Sequence, residues 1–214
     1  MPIEGIDVHD QNGIVDWQRV AKAGKSFAFI RAAYGDRADT LVAQNFPKAK
    51  AQNLVCGLYH FYRVTRDPKK QADLMVATMR NVGFGPGDLP PVIDVEDNPQ
   101  FDGVWDPANN AVFVLGIRDW IERIRREFKC SAIVYTRASF WPMIGEPAGF
   151  NTLPLWVAHY KNAQGSPAMP KLPKGWTDYA FWQYSENGQS DGVLENCDMD
   201  LFNGTLAQLK ALTV

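Results

Sequence analysis

Residues 91–96 read Pro91-Val92-Ile93-Asp94-Val95-Glu96, an apolar run of strand length that ends in two acidic side chains. A run this continuous is typical of a strand buried on both faces, as in a parallel sheet. Because side chains alternate along a strand, Asp94 and Glu96 should point to the same face, with Cα atoms roughly 6.6 Å apart. The hexapeptide therefore predicts a central strand with a pair of carboxyl groups at its end.

Seven other stretches share this length and apolar character. They occupy residues 5–8, 27–32, 55–61, 132–136, 155–160, 179–184 and 197–202. Helical patterns lie between the earlier ones, with start signals at Asp16, at Asp39 or Asn45, at Asp67-Pro68 and at Asp106-Pro107, and a last helix is expected over 205–212. Eight strands alternating with helices favour a closed barrel over an open sheet. The predicted fold is α/β, an irregular TIM-like (β/α) barrel of eight strands with helices mainly in the first half.

The composition limits the possible functions. The chain has 214 residues, of which 46% are hydrophobic and 21% charged, with a net charge of −2; these values predict one globular domain over residues 1–214. Without a basic surface field, nucleic acid is not an expected partner. No apolar run reaches the roughly 18 residues of a membrane span, so membrane insertion is not expected. The three cysteines are too far apart in sequence to suggest a disulfide framework or a zinc site.

Acidic side chains end several of the apolar runs. Asp7 ends the first run, Asp94 and Glu96 end the fourth, and Asp198 lies in the eighth. Barrel enzymes place their active sites at the carboxyl ends of the strands. Two neighbouring carboxyl groups on an apolar strand are hard to ionise together, so one should keep its proton near neutral pH, as a general acid must. We therefore predict that Glu96, Asp94, Asp7 and Asp198 form the catalytic site.

Aromatic and polar residues at the same strand ends are candidates for substrate binding. The candidates are Tyr59, Phe61, Tyr135, Trp156, Tyr160 and Gln183, and Trp182 is a further aromatic at this level. Aromatic rings could stack on sugars or fill the core, and the sequence does not divide the two roles. The remaining aspartates are expected to cap turns and helices: Asp10, Asp16, Asp39, Asp67 and Asp106.

The histidines raise the question of a metal site. His9, His60 and His159 all lie near strand ends and could join Asp7 around a metal ion. Their spacing matches neither HxH nor HExxH, and scattered histidines are more often structural. We therefore expect no metal and no cofactor.

Several short motifs follow one another along the chain. They are Gly5-Ile6-Asp7-Val8, Asp16-Trp17, residues 27–32, Gly57-Leu58-Tyr59-His60-Phe61, Asp94-Val95-Glu96, residues 155–160 (LWVAHY), residues 182–185 (WQYS) and residues 197–202 (CDMDLF). In order and spacing they resemble the motifs of glycoside hydrolase family 25 lysozymes, the type often found as phage endolysins. Two stretches depart from the family pattern: His9 stands where Ser is frequent, and Ala33-Tyr34-Gly35 where Thr-Glu-Gly is frequent.

The resemblance implies a function as well as a fold. It implies hydrolysis of the β-1,4 bond between N-acetylmuramic acid and N-acetylglucosamine in peptidoglycan, for bacterial cell lysis. It implies that Glu96 is the general acid/base, that Asp94 is the second carboxylate and that Asp7 and Asp198 support them. Many members also carry a wall-binding module, and no separate module is predicted here.

Two other functions are open at this point. One is a metal-dependent barrel hydrolase that uses Asp7 and the histidines, and the other is a non-catalytic glycan-binding barrel. The expected partner is bacterial peptidoglycan, and the expected state is a monomer. No Sec-type signal is visible at residues 1–5, which fits a protein made in a host cytoplasm and released to the wall through a holin.

Overall fold

The computed structural model describes residues 2–160 and 169–214, and a sheet that closes on itself forms its centre. The strands are β1 (Ile3–Val8), β2 (Phe27–Tyr34), β3 (Arg37–Ala38), β4 (Val55–Phe61), β5 (Val92–Asp94), β6 (Ile133–Arg137), β7 (Leu155–Ala158), β8 (Phe181–Gly188) and β9 (Cys197–Phe202). All eight predicted strands are present, and β3 is a short addition at the edge of β2. The predicted α/β barrel of eight strands is confirmed.

One strand of the barrel runs against the others. The closed order is β1-β2-β4-β5-β6-β7-β8-β9, and β9 returns to pair with β1. The neighbours from β1 to β8 are parallel, whereas β9 is antiparallel to both β8 and β1. Because β9 is reversed, its first residues lie at the end of the barrel where the other strands finish. Asp198 is thereby placed directly opposite Asp7.

Six α-helices occur among the described residues. They are α1 (Trp17–Lys22), α2 (Val42–Lys50), α3 (Pro68–Asn81), α4 (Pro99–Asp102), α5 (Asn110–Phe128) and α6 (Leu206–Ala211). The Asp16 side chain accepts from the backbone N–H of Arg19 at 3.1 Å and begins α1, and Asp67 begins α3 in the same way. None of the described helices has the length and apolar character needed to cross a membrane.

Two predicted helix starts are placed differently. Helix α2 begins at Val42 without a side-chain cap, so neither Asp39 nor Asn45 begins it. Asn45 lies inside α2 and accepts a hydrogen bond from the Trp17 indole at 3.2 Å. Asp106 does accept from the backbone N–H of Ala108, but it begins a short 3₁₀ turn that leads into α5.

Alternate residues of the strands fill the barrel. Phe27, Phe29, Val92, Ile133, Trp156 and Phe181 are fully buried there in one cluster. Phe29 and Trp156 stack with ring centroids 4.4 Å apart. Glycines make room for the phenylalanine rings: a Cβ on Gly5 would lie 2.4 Å from Phe27, and one on Gly57 would lie 2.5 Å from Phe29. The interior of the barrel is therefore a tightly packed apolar core.

Candidate active site

A cavity of about 320 Å³ opens at the carboxyl ends of the parallel strands. All ten residues predicted for catalysis or substrate binding line it: Asp7, Tyr59, Phe61, Asp94, Glu96, Tyr135, Trp156, Tyr160, Gln183 and Asp198. They come from β1, β4, β5, β6, β7, β8 and β9 or from the residues just beyond these strands. The arrangement is that of a barrel enzyme, whose reactive groups are gathered from the ends of several strands.

Asp94 and Glu96 face this cavity from the same side. Strand β5 ends at Asp94, but the backbone continues the ladder, since Val95 N–H donates to Tyr135 O at 2.9 Å. Asp94 is 4% exposed, and its buried Oδ1 has no hydrogen-bond partner among the described residues. A buried acceptor without a partner is costly, so this oxygen is well suited to accept from a bound molecule.

The pKa of Glu96 is raised from 4.5 to about 7. Burial is the largest cause, because an apolar surrounding disfavours the charged form. The Arg137 guanidinium, with Nη1 2.9 Å from Glu96 Oε2, acts in the opposite direction. The neighbouring carboxylate of Asp97 raises the pKa further. Glu96 can therefore carry a proton close to neutral pH.

The pKa of Asp94 is also raised, first by burial and then by the charge of Glu96. This agrees with the expectation that two carboxyl groups on one strand end do not ionise together. Glu96 is repelled by further carboxylates as well. They are Asp97, Asp198 and Glu186. The proton-holding property of the site thus belongs to a larger acidic cluster than the pair alone.

Gln183 joins the acids on β1 and β9. Its Nε2 donates to Asp7 Oδ2 at 2.8 Å and to Asp198 Oδ2 at 3.1 Å. Its Oε1 accepts from the hydroxyls of Tyr135 and Tyr160 at 2.7 and 3.0 Å. An amide with both donors and its acceptor in use is fixed in one orientation. Gln183 therefore holds Asp7 and Asp198 in a single arrangement, and these three side chains form the floor of the cavity.

Burial also raises the pKa of the acidic side chains in this floor. The pKa of Asp198 rises to about 6, with burial as the first cause. The pKa of Asp7 is raised by burial and then by the charges of Asp198 and Asp200. Asp200 lies on β9 beneath the cavity, fully buried, and its Oδ1 accepts from the Trp156 indole at 2.9 Å. Asp200 was not among the predicted site residues.

The aromatic candidates divide between the cavity and the core. Phe61 and Tyr160 are partly exposed, whereas Tyr59 and Tyr135 are 6% and 5% exposed. Trp156 is 1% exposed and contributes its indole N–H to Asp200 from below. Trp182 packs in the outer core, on the helix side of the barrel, and donates to the carbonyl of His159. Phe61 and Tyr160 can therefore stack on a bound sugar, whereas Trp182 is part of the outer core.

Several residues at the cavity were missed by the sequence reasoning. Arg31, Tyr34 and Glu186 line it, and Arg137 reaches Glu96 and Asp97 from the end of β6. Asp10 and Asp39, expected to act as caps, both form ion pairs with Arg31. Asp39 also accepts from the backbone N–H of Leu41, so it serves a turn as well.

The histidines do not form a common site. His60 is fully buried, accepts from the Trp120 indole through Nδ1 and bonds Gly35 O through Nε2. His159 accepts from the backbone N–H of Lys171, and His9 from that of Gln11. Among residues 2–160 and 169–214, no group of three His, Cys, Asp or Glu side chains has the geometry of a metal site. The arrangement gives no support to a metal-dependent hydrolase.

The comparisons with known proteins agree with this geometry. The sequence profile of glycosyl hydrolases family 25 matches residues 6–193. Lysozyme M1 of Streptomyces globisporus is 31% identical over 98% of this chain and 71% of its own length. The bacterial lysozyme from Streptomyces coelicolor has a TM-score of 0.86 at 31% identity, covering 100% of this chain and 97% of that one. The muramidase from Trichobolus zukalii has a TM-score of 0.81 at 26% identity, covering 99% and 98%.

The closed barrel with paired carboxyl groups in its acidic cleft, together with the family match, identifies this protein as a glycoside hydrolase. The chain belongs to glycosyl hydrolases family 25. The resemblance seen in the sequence motifs is confirmed.

Proposed function

We propose that the chain is a lysozyme, an N-acetylmuramidase that hydrolyses the β-1,4 bond between N-acetylmuramic acid and N-acetylglucosamine in bacterial peptidoglycan. The observation that carries the proposal is the pairing of Glu96, with a pKa of about 7, and Asp94 on one side of the cavity. The names of its relatives, lysozyme and muramidase, support the same activity. We place its action at the cell wall, where such hydrolysis leads to lysis.

Glu96 is the general acid of the proposed reaction. A carboxylic acid with a pKa near 7 is protonated often enough at neutral pH to donate to the leaving glycosidic oxygen. After the donation, Arg137 stabilises the Glu96 carboxylate through its contact at 2.9 Å. The same carboxylate then serves as the base that activates water.

Asp94 is placed poorly for direct attack on the sugar. In a retaining enzyme with a carboxylate nucleophile, the two carboxyl groups lie on opposite sides of the bond, about 5–5.5 Å apart. Asp94 and Glu96 are two residues apart at one strand end, where alternation puts both side chains on the same face, and both line the cavity. The substrate carries another nucleophile, its 2-acetamido oxygen, and substrate-assisted glycosidases use this group.

We therefore assign Asp94 to the acetamido group. In the form in which Glu96 holds the proton and Asp94 is ionised, the unpartnered Oδ1 of Asp94 accepts from the acetamido N–H. The carboxylate then stabilises the positive charge that develops as the acetamido oxygen closes on the anomeric carbon. Asp7 and Asp198, held by Gln183, fix the floor against which this group lies.

The bond that is cleaved identifies the activity. Purified peptidoglycan is incubated with the protein, and the new reducing ends are analysed after borohydride reduction. Reduced muramic acid is the expected product, because the muramidase bond leaves muramic acid at the reducing end. Reduced glucosamine, or the release of peptides alone, would contradict the proposal, and activity that EDTA abolishes would favour a metal-dependent hydrolase.

Glu96→Gln is expected to lose nearly all activity while the fold is retained. The amide has nearly the same shape but has no acidic proton, and general acid catalysis contributes roughly 10²- to 10⁴-fold. Turnover of peptidoglycan and the circular dichroism spectrum are compared with those of the native chain. A folded Glu96→Gln protein with turnover near that of the native chain would overturn the assignment of Glu96.

The substrate-assisted route predicts retention of configuration. Two successive inversions at the anomeric carbon return the β anomer, whereas a single attack by water gives the α anomer. Proton NMR of a muropeptide digest, recorded before mutarotation, follows the fresh reducing end. An α anomer that appears first would rule out the role given to Asp94.

A further inference from the structure

A second cavity adjoins the catalytic cleft at the β2–β3 hairpin. It has a volume of about 600 Å³ and shares Arg31 and Tyr34 with the cleft. A third cavity of about 450 Å³ borders the second and shares Arg37 and Phe101 with it. Because each cavity shares lining residues with the next, we name the three together the trough, along which a molecule bound in the cleft could extend.

Arg37 is the one arginine of this trough without a carboxylate partner among the described residues. The other arginines are paired: Arg31 with Asp10 and Asp39, Arg63 with Asp102, and Arg66 with Asp36. The Arg37 guanidinium is exposed and lies 6.0 Å from the centroid of the Tyr34 ring. A cation held over an aromatic face and free of an internal anion is available to bind an anionic group.

The wall beside Arg37 is aromatic. The Tyr34 ring lies 4.9 Å from Phe61 and 6.4 Å, edge to face, from Phe101. The Tyr34 hydroxyl accepts a hydrogen bond from Asn98 Nδ2, which orients the ring. Phe101 is 64% exposed and forms an apolar surface next to the cation.

This combination of groups discriminates between the parts of peptidoglycan. Within the polymer, the amino-sugar chain has no free charge where the lactyl group of N-acetylmuramic acid is joined to peptide. The peptide carries free carboxylates together with apolar side chains. An unpaired cation beside exposed aromatic rings fits the peptide better than it fits the sugar chain.

We propose that the trough binds the acidic peptide attached to N-acetylmuramic acid, with Arg37 pairing a peptide carboxylate and Phe101 packing on its apolar groups. The inference rests on the proposed function, because it needs a substrate whose sugar occupies the adjoining cleft. It makes Arg37 a determinant of substrate specificity that takes no part in the chemical step.

The test compares Arg37→Gln with the native chain on three soluble substrates. The first is a glycan strand with its peptides intact, the second is the same strand with the peptide carboxylates converted to amides, and the third is the strand after an amidase has removed the peptides. Arg125→Gln is the matched control, since Arg125 is an exposed arginine on α5 that lines none of the three cavities.

We expect kcat/KM of Arg37→Gln to fall roughly two- to fivefold on the intact strand, as for loss of an exposed charge pair. The fall should vanish on the amidated and the peptide-free strands, and it should shrink at high salt. Arg37→Lys should restore part of the activity on the intact strand.

Other outcomes contradict the inference. An equal loss on all three strands would assign Arg37 to the fold or to the sugar chain. A loss greatest on the peptide-free strand would assign it to the exposed lactyl carboxylate, and no loss on any strand would leave Arg37 without a role in binding. If the native chain cleaves none of the three, the proposed function itself fails, which distinguishes the two conclusions.

Discussion

The protonation of Glu96 is set by opposing neighbours. Burial and the carboxylate of Asp97 raise its pKa, and the contact with Arg137 lowers it. Arg137 also bonds Asp97 and donates from Nε to Ser139 Oγ at 3.1 Å, which fixes its position. Arg137 is therefore a positioning residue that orients Glu96 and tunes its acidity.

Activity is expected to fall with a midpoint near pH 7 on the alkaline side, because Glu96 must be protonated to donate and its pKa is about 7. Arg137→Met removes the cation that stabilises the charged form, so the pKa of Glu96 rises. The alkaline limb of kcat/KM should then move to higher pH by roughly half to one unit. The measurement is the pH profile of kcat/KM on a soluble muropeptide substrate.

Conservative and distant substitutions separate this role from a structural one. Arg137→Lys keeps the cation and should leave the limb near its native position. Arg125→Met, on the outer face of α5, should leave it unchanged. A limb that stays in place in Arg137→Met would show that the Arg137 contact does not control the protonation of Glu96.

The alternation of strand side chains explains which site residues could be predicted. It placed Asp94 and Glu96 together, and the same rule applied to Tyr135 would have included Arg137, two residues further along β6. Arg137 lies one residue beyond the predicted run 132–136, so the apolar pattern did not include it. Glu186 could not be found in this way, since irregular pairing of β8 with β9 after Gln183 breaks the alternation.

At the scale of the elements, the positions of the strands were predictable and the direction of the last was not. An apolar run has the same pattern in either direction, so β9 was expected simply as another strand. The connection from Gly188 to Cys197 is shorter than the dozen or more residues that a parallel crossover needs. The predicted runs 179–184 and 197–202 leave twelve residues between them, so the short connection appears only because β8 extends to Gly188 in the structure.

The start of α2 was misplaced for a different reason. Asp39 and Asn45 are both residue types that favour helix N-caps, but in the structure their side chains have other partners. Asp39 pairs with Arg31, and Asn45 accepts from Trp17. Such tertiary contacts are not visible in a local pattern.

The glycine of β4 is expected to be essential for packing of the barrel. In Gly57→Ala the new Cβ would lie 2.5 Å from the Phe29 ring, which is fully buried against Trp156 and cannot move freely. Overpacking of this kind destabilises by roughly 1–3 kcal/mol. Denaturant unfolding measures the change in free energy.

Gly85→Ala is the matched control, because nothing lies within 4 Å of a Cβ built on Gly85. Its free energy of unfolding should stay close to that of the native chain. Equal stability of the two variants would mean that Phe29 relaxes readily and that the barrel interior is less tightly packed than the structure indicates.

At the scale of the whole molecule, folding gathers several carboxyl groups in one buried cluster. Asp7, Asp94 and Asp200 are each less than 5% exposed, and burial raises the pKa of all three. A group whose pKa is raised on folding stabilises the native state when protonated, and this stability is lost as the pH rises through the folded pKa. The site therefore makes the protein less stable as it ionises.

The melting temperature should fall as the pH rises from about 4 to 7. This pH range follows from two groups: the pKa of Asp198 is raised from 3.8 to about 6, and the pKa of Glu96 is raised from 4.5 to about 7. Asp200→Asn removes one buried acid and keeps an acceptor for Trp156, so its melting temperature should depend less on pH. Scanning calorimetry between pH 4 and 8 measures both curves.

Asp119→Asn, on the exposed side of α5, serves as the control and should follow the native curve. A native melting temperature that rises steadily from pH 4 to 7 would contradict the expected loss of stability as the buried acids ionise. It would mean that acids with lowered pKa, such as Asp102 beside Arg63, dominate the pH dependence.

The pairing of β1 with β9 also determines when the enzyme becomes active during its synthesis. Asp7 leaves the ribosome well before its partner Asp198, because β1 and β9 are far apart in the sequence. A nascent chain that has not yet released residues 197–202 has an open barrel and an incomplete floor to its cleft. Translation must therefore pass β9 before catalysis can begin, and fragments that end before β9 are expected to be inactive toward peptidoglycan.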